Sequence, residues 1–194
     1  MGWLYNHFTK KAFFSEDWKT KEIQIAKNKA EANIRNFPLS QQDTDILNKD
    51  WVNGNHHFIS KNPKSLQAQR LEKVISKLPA YKGSIYRGSE QNPLRHDYKV
   101  GKEFSFGHLG AWSKDPNVAE MHATKHNSPI IYKVDNQYYG KDISCYVNSD
   151  KKAESEILTS SSAKYIIKRK RKVSISNLEG NNIVALLIEM EEII

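Results

Sequence analysis

A change of pattern at Pro79 constrains this chain more than any other feature of it. Before Pro79, apolar residues recur at helical spacing. Ile23, Ala26, Ala30 and Ile34 step by three and four, and so do Leu71, Val74, Ile75 and Leu78. Asn62-Pro63 predicts the start of the second of these helices and Pro79 its end. Between them, Ser40 to Trp51 predicts another helix, closed by Asn53-Gly54. After Pro79 short β-rich runs take over, near Ser84–Arg87, Tyr98–Phe106, Ile130–Val134, Glu154–Thr159, Tyr165–Ile175 and Ile183–Met190. One helix interrupts them. Asp115 is a cap, Pro116 takes the first helical position, and Val118, Ala119, His122 and Ala123 share a face. Helices first and strands after predict one α+β domain over residues 1–194, with 1–78 mainly helical and 79–194 mainly β.

Charge and cysteine content narrow the function classes. Thirty basic against 22 acidic residues give a net charge of +8. Residues 173–194 hold four glutamates and no Lys or Arg, so the first 172 residues carry +12. A field of that sign attracts acidic partners, nucleic acid or nucleotide phosphates. Cys145 is the single cysteine, which excludes an internal disulfide and a cysteine-built zinc cage. The longest aliphatic run, Ile183 to Ile188, is far short of the roughly 18 residues of a membrane span. No apolar stretch follows Met1 as in a secretory signal, and Asn6 stands where a myristoylation signal has Ser or Thr. The expectation is a soluble cytoplasmic protein.

Three places could carry chemistry. In Glu154-Ser155-Glu156, a strand would put both carboxylates on one face, about 6.6–6.8 Å apart along the chain, where they could act on one bound molecule. The same pattern is common in solvated loops, and Lys151 and Lys152 beside it suit one. In Tyr86-Arg87-Gly88, a strand-borne arginine could offer its planar fork to a diphosphate, and glycine would let a ligand approach the backbone. An arginine leaving a sheet for water is the plainer alternative. The third place, Leu109 to Pro116, leaves a strand and enters a capped helix, so backbone amides and the ring of Trp112 could line a pocket.

In this order the three resemble something specific. "LPAYKGSIYRG" (Leu78–Gly88), "YKVGKEFSFGHLGAWSKDPNVAEMHA" (Tyr98–Ala123) and "KDISCYVNSDKKAESEILTSSSAKYIIKRKRKVSI" (Lys141–Ile175) are similar to the Arg, Ser-Thr-Ser and Glu-x-Glu blocks of the mono-ADP-ribosyltransferases. That family includes clostridial and cholera-like toxins and the small transferases of T4-like bacteriophages. The resemblance covers about residues 65–190. It implies a mixed, mostly antiparallel β-sandwich around an NAD cleft, preceded by helices. One departure stands out: Ala111 occupies the position of the first serine, which in the family braces the catalytic glutamate, and Trp112 that of the threonine. Only Ser113 matches the final serine, so the resemblance implies that the bracing role passes to Ser113, as a further catalytic residue, to water or to another residue.

The resemblance implies NAD as substrate, with no metal. Glu156 then stabilises the ribosyl cation, Glu154 engages an arginine acceptor, and Arg87 holds the NAD phosphates. Gly88, Trp112 and Ser113 join Arg87 and Glu156 around the dinucleotide. The implied activity is transfer of ADP-ribose to arginine side chains of target proteins, with release of nicotinamide. Small size and basic charge suggest a phage or intracellular effector modifying host proteins. Two other readings stand beside it: NAD hydrolysis without an acceptor, and a non-catalytic basic module binding nucleic acid or a host protein on a degenerate transferase fold.

Two further features are weaker. His122 and His126 have i, i+4 spacing but no evident third ligand, so a metal site is not expected. Lys164 and the run Lys168 to Lys172 form a basic cluster. Regular alternation would put Lys168, Lys170 and Lys172 on one face, able to contact RNA. It would put Arg169 and Arg171 on the other with Tyr165, Ile167, Val173 and Ile175.

Overall fold

The computed structural model describes residues 32–90, 98–135, 138–147, 155–176 and 180–194. Ile23, Ala26, Ala30 and Glu154 lie outside the described residues. The chain forms two compact units, Met1–Pro38 and Leu39–Ile194. The described part of the first is a helical stretch over 32–36. All that follows concerns the second.

Ser40 turns the chain into the first helix of this unit. Its Oγ accepts from the Asp43 N–H (3.1 Å) while the Asp43 carboxylate accepts from the Ser40 N–H (3.3 Å), a reciprocal capping box. The hydrogen bond from Lys77 Nζ (2.7 Å) outweighs burial and holds the Asp43 carboxyl below its usual range. Helix α1 (Gln41–Ile46) does not stop at Asn53-Gly54. It widens into a π-helical segment, Leu47–Asn55, and continues as α2 (His56–Lys61). Hydrogen bonds from i to i+5 widen the turn, so Leu47 and Val52, five apart, are buried together with Trp51. Helix α3 (Leu66–Ile75) begins at Ser65, whose Oγ accepts from the Ala68 N–H (3.2 Å). Its apolar face, Ala68, Leu71, Val74 and Ile75, is buried as the spacing predicts, and so is Leu78.

Among the described residues eight strands form one continuous sheet: β1 (Ile85–Glu90), β2 (Glu103–Phe104), β3 (Gly110–Ser113), β4 (Pro129–Val134), β5 (Lys141–Asp142), β6 (Glu156–Thr159), β7 (Lys164–Ser176) and β8 (Asn182–Ile193). Their order is β2-β7-β8-β4-β1-β3-β6-β5, with β4 and β8 parallel and every other neighbouring pair antiparallel. Ile85, Phe104, Trp112, Tyr132, Ile157, Tyr165, Ile167, Ile188 and Met190 share one core, so the two ends of the sheet close over a common inner face. On the outer face, α1 to α3 and the π segment pack on β3 and β6 through Leu47, Trp51, Leu71, Leu109 and Leu158. Helix α4 (Pro116–Ala123) packs through Ala119 and Ala123 on Ile131, Ala185 and Leu187.

The strands depart from expectation at several points, the short β5 among them, which no β-rich run marked. Only Glu103–Phe104 of the run Tyr98–Phe106 is strand, because Gly101 at φ +83° makes a turn closed by Lys102 N–H to Lys99 C=O (3.1 Å). Strand β3 lies where a loop is expected. Strand β6 begins at Glu156, after a turn at Ser155. A bulge between Ile167 and Arg169 inserts one residue into β7 and reverses its phase. Tyr165 and Ile167 therefore enter the inner core while Val173 and Ile175 face α4. Arg169 and Arg171 side with the latter pair only. The predicted row of three lysines is split as well. Lys168 joins the outer ion pairs, to Glu191 at 2.9 Å, beside Arg169 and Arg171 near Glu189. Lys170 and Lys172, opposite Ile188 and Leu186, point the other way.

Near the carboxyl end, Glu192 is buried beside Tyr165 and accepts from the backbone N–H groups of Tyr138 and Tyr139. Desolvation raises its pKa despite those bonds. A carboxyl raised on folding contributes stability that is complete below its unfolded pKa and is lost as pH rises through the folded one. Glu192→Gln should therefore gain on the wild type as pH increases above the ordinary carboxylate range. Urea unfolding across a pH series measures this, and a difference constant with pH contradicts it.

Candidate active site

Strand β3 is central to the site because it lies between β1 and β6. Tyr86 pairs with Ser113, and Ser113 pairs with Glu156. Cross-strand partners share a sheet face, so these three side chains stand in a row on the outer face. Ser113 (4% exposed) and Glu156 (7%) are both buried there. Residues from the π segment, α2 and α4 surround them. Trp51, His56, Val118, Ala119 and His122, with Tyr86, Gly88, Ala111, Ser113 and Glu156, line a cleft of ≈ 280 Å³. That volume is near the lower end of about 300–1,000 Å³ for small-molecule sites.

Glu156 is held by a residue that no local sequence signal marked. Trp51 Nε1–H donates to its Oε1 at 2.8 Å in a fully buried contact. The two residues are 105 positions apart, and Trp51 by its spacing from Leu47 reads only as core. Ser113 Oγ accepts from the Asp115 N–H (2.9 Å), and Asp115 in turn caps α4 through Asn117 N–H (2.9 Å). The serine thus ties β3 to the helix that closes the cleft.

Ser155 has φ +50°, a left-handed conformation uncommon for a residue with a side chain. Its carbonyl accepts from the Lys114 N–H at 3.1 Å. The regular two-residue alternation expected to align Glu154 with Glu156 therefore does not run through Ser155.

Arg87 and Trp112 border the cleft too, but alternation sets them on the inner face. Arg87 stands beside Tyr132 across the strand pair, and its guanidinium lies 4.6 Å over the ring of Phe106. Its Nη1 is enclosed with no hydrogen-bond partner among the described residues. Desolvation lowers its pKa from the usual arginine value, the phenolic groups of Tyr132 and Tyr165 opposing that shift; an arginine still stays protonated. The indole of Trp112 is only 3% exposed, and its N–H donates to Thr159 Oγ1 (3.0 Å). Trp112, expected against the dinucleotide, is a core aromatic that meets Phe106 edge to face and Tyr165 at a tilt.

Gly88 has a packing reason beyond ligand approach. A Cβ there would lie 1.9 Å from the Ala119 carbonyl oxygen and 2.6 Å from the Ala123 nitrogen, both backbone atoms of α4. Helix and strand touch because Gly88, Ala119 and Ala123 are all small. Gly88→Ala should push α4 off the sheet and destabilise the protein by at least the about 1–3 kcal/mol of an overpacked core. A melting temperature equal to the wild type contradicts this packing.

The two histidines separate. His122 lines the cleft, while His126 lies past the end of α4 with Nδ1 3.8 Å from Glu90. Among the described residues no group of three His, Cys, Asp or Glu could hold a metal ion.

No protein-family model matches the chain. No curated protein sequence matches it either. Solved structures do. Vis toxin, an ADP-ribosyltransferase from Vibrio splendidus, superposes with a TM-score of 0.69 at 16% identity, covering 95% of this chain and 89% of that one. Plx2a, an ADP-ribosyltransferase toxin from Paenibacillus larvae, gives 0.63 at 12% identity over 88% and 96%. An ADP-ribosyltransferase from Clostridium botulinum gives 0.62 at 12% identity over 87% and 94%. The cleft, its three adjacent strands and its helical cover belong to a chain with the ADP-ribosyltransferase fold.

Proposed function

We propose that the protein is a mono-ADP-ribosyltransferase that uses NAD and transfers ADP-ribose to arginine side chains of target proteins. The observation that carries this reading is Glu156: a buried carboxylate, oriented by Trp51 and neighbouring Ser113, lining the cleft of an ADP-ribosyltransferase fold. In the reaction the bond between the nicotinamide nitrogen and ribose C1′ breaks, and its electron pair leaves with nicotinamide. C1′ then bonds to a guanidino nitrogen, which gives up one proton. Positive charge develops on the ribose as the bond opens, and a fixed carboxylate in a water-poor site opposes it strongly. Glu156 takes that part. Glu154 is assigned to the acceptor, because a guanidinium attacks poorly until a carboxylate localises or removes a proton. Arg87 is assigned to the NAD phosphates, since its enclosed Nη1 meets no acceptor among the described residues.

Two things support arginine as the acceptor. A glutamate stands at position 154, and the Vis toxin of the same fold has been crystallised in complex with agmatine, a guanidine compound. The single cysteine and positive charge suit an effector working in a cytoplasm. Mass spectrometry of a bacterial lysate after incubation with the protein and NAD tests the acceptor. ADP-ribose on arginine is the expected outcome. Modification confined to other residues contradicts the arginine assignment, and nicotinamide release without modified protein would show a hydrolase instead.

The basic strand is assigned to target binding. Its bulge sends Lys168 to one face with Arg169 and Arg171, and Lys170 and Lys172 to the other, so the three lysines do not form one row. Lys170→Ser with Lys172→Ser should lower modification of a macromolecular target and reduce its salt dependence, with transfer to a small guanidine unchanged. Rates with both acceptors across a salt series measure it. A parallel loss with the small acceptor contradicts the assignment.

A further inference from the structure

We infer that Trp51 positions the Glu156 carboxylate from the helical layer. The inference rests on the reading of Glu156 as the group that stabilises the ribosyl cation. Three observations lead to it. The residue on β3 that could brace Glu156 from the diagonal is Ala111, whose methyl group makes no hydrogen bond. It pairs with Leu158 and so shares a face with Glu156 on the adjacent strand. The neighbouring hydroxyl, Ser113 Oγ, accepts from the Asp115 N–H and so is tied to the start of α4. The indole N–H of Trp51 reaches Oε1 at 2.8 Å with both partners buried.

The local fold explains how an indole arrives there. Trp51 lies within the π-helical segment Leu47–Asn55, and the wider turn brings residues five apart to one side. Trp51 and His56 accordingly line the cleft together, their ring centroids 6.2 Å apart. Short π segments recur at functional sites because they re-aim a side chain within a packed helix. Here the re-aimed group is a donor only, which suits a carboxylate oxygen as acceptor. A carboxylate anchored at one oxygen loses rotation about its terminal bond, so its charge is already set where the reaction needs it. Trp51 is thus a positioning residue, acting through Glu156.

The test compares Trp51→Phe, the double variant Trp51→Phe/Ala111→Ser, and Glu156→Gln, with kcat and KM for NAD measured on each. Loss of a hydrogen bond to a charged group should lower kcat about 10- to 100-fold, with KM for NAD within about threefold. Restoring a donor from β3 with Ala111→Ser should recover at least about tenfold of that loss. A purely structural role for Trp51 would not be rescued by a hydroxyl on another strand. If Trp51→Phe does not fold, site-specific 3-benzothienylalanine at position 51 keeps the ring size and removes the N–H. The same fall in kcat is expected of it. A kcat within about threefold of wild type for either donor-free variant, or no recovery on adding Ala111→Ser, overturns the inference. Glu156→Gln separates the two layers. If it abolishes NAD cleavage while Trp51→Phe does not, the positioning role falls and the functional reading stands. If the wild type itself does not cleave NAD, the functional reading falls.

Discussion

Glu156→Gln should lower NAD cleavage about 10²- to 10³-fold or more while leaving the fold in place. The amide keeps the shape and can still accept the Trp51 N–H through its carbonyl oxygen. What it lacks is the negative charge. Removing one preorganised electrostatic contact to a transition state costs about 2.7–4 kcal/mol, and here the contact removed carries a full charge. Stability should move the other way or hardly at all, since a buried carboxylate is costly to desolvate and an amide less so. Melting temperature on the same preparation should therefore hold or rise while the initial rate falls. A rate within about threefold of wild type, or a rate loss that only follows unfolding, contradicts the role assigned to Glu156.

Arg87→Met should show a second trade of activity for stability. The guanidinium is enclosed over Phe106, and Nη1 has no acceptor among the described residues. A buried charge without an anionic partner is expensive, and replacing buried ionic groups with apolar residues of similar volume often stabilises by about 1–4 kcal/mol. Methionine fills much of the same space and keeps a favourable sulfur contact with the ring. The variant should therefore melt higher than wild type, while KM for NAD rises at least about tenfold because the phosphates lose their cation. Calorimetry and NAD titration of the rate check both halves. A lower melting temperature with unchanged KM would make Arg87 a structural residue whose stacking on Phe106 outweighs its desolvation.

What was legible in the sequence was what local chemistry encodes. Asp115 and Pro116 mark the start of α4 because an acceptor side chain followed by a residue without an N–H fits a helix N-terminus wherever it stands. Leu71, Val74, Ile75 and Leu78 show their buried face through spacing alone. Strand β3 was not legible because Gly-Ala-Trp-Ser has no β-branched residue. Its strand character comes from β6, more than 40 residues away, and from one pairing with β1. The π segment was hidden by Asn53-Gly54, a pair that ordinarily ends a helix but is carried through here by burial of Trp51, Val52 and Ile59 around it. The bulge at Lys168 was invisible for a related reason. A run of five cations has no apolar residue to show on which side the phase changes. The sequence motifs did mark Arg87, Ser113 and Glu156 for one cleft. The partner that fixes Glu156 could be found only in three dimensions, because a hydrogen bond across 105 residues leaves no local trace.

The central claim is that this cleft cleaves NAD and hands ADP-ribose to a guanidino group. It is tested most directly by incubating the purified protein with NAD and excess agmatine and quantifying nicotinamide and ADP-ribosyl-agmatine together. Equal amounts of the two, both absent with Glu156→Gln, are predicted. No nicotinamide above the buffer control, or equal release by wild type and Glu156→Gln, would contradict the claim.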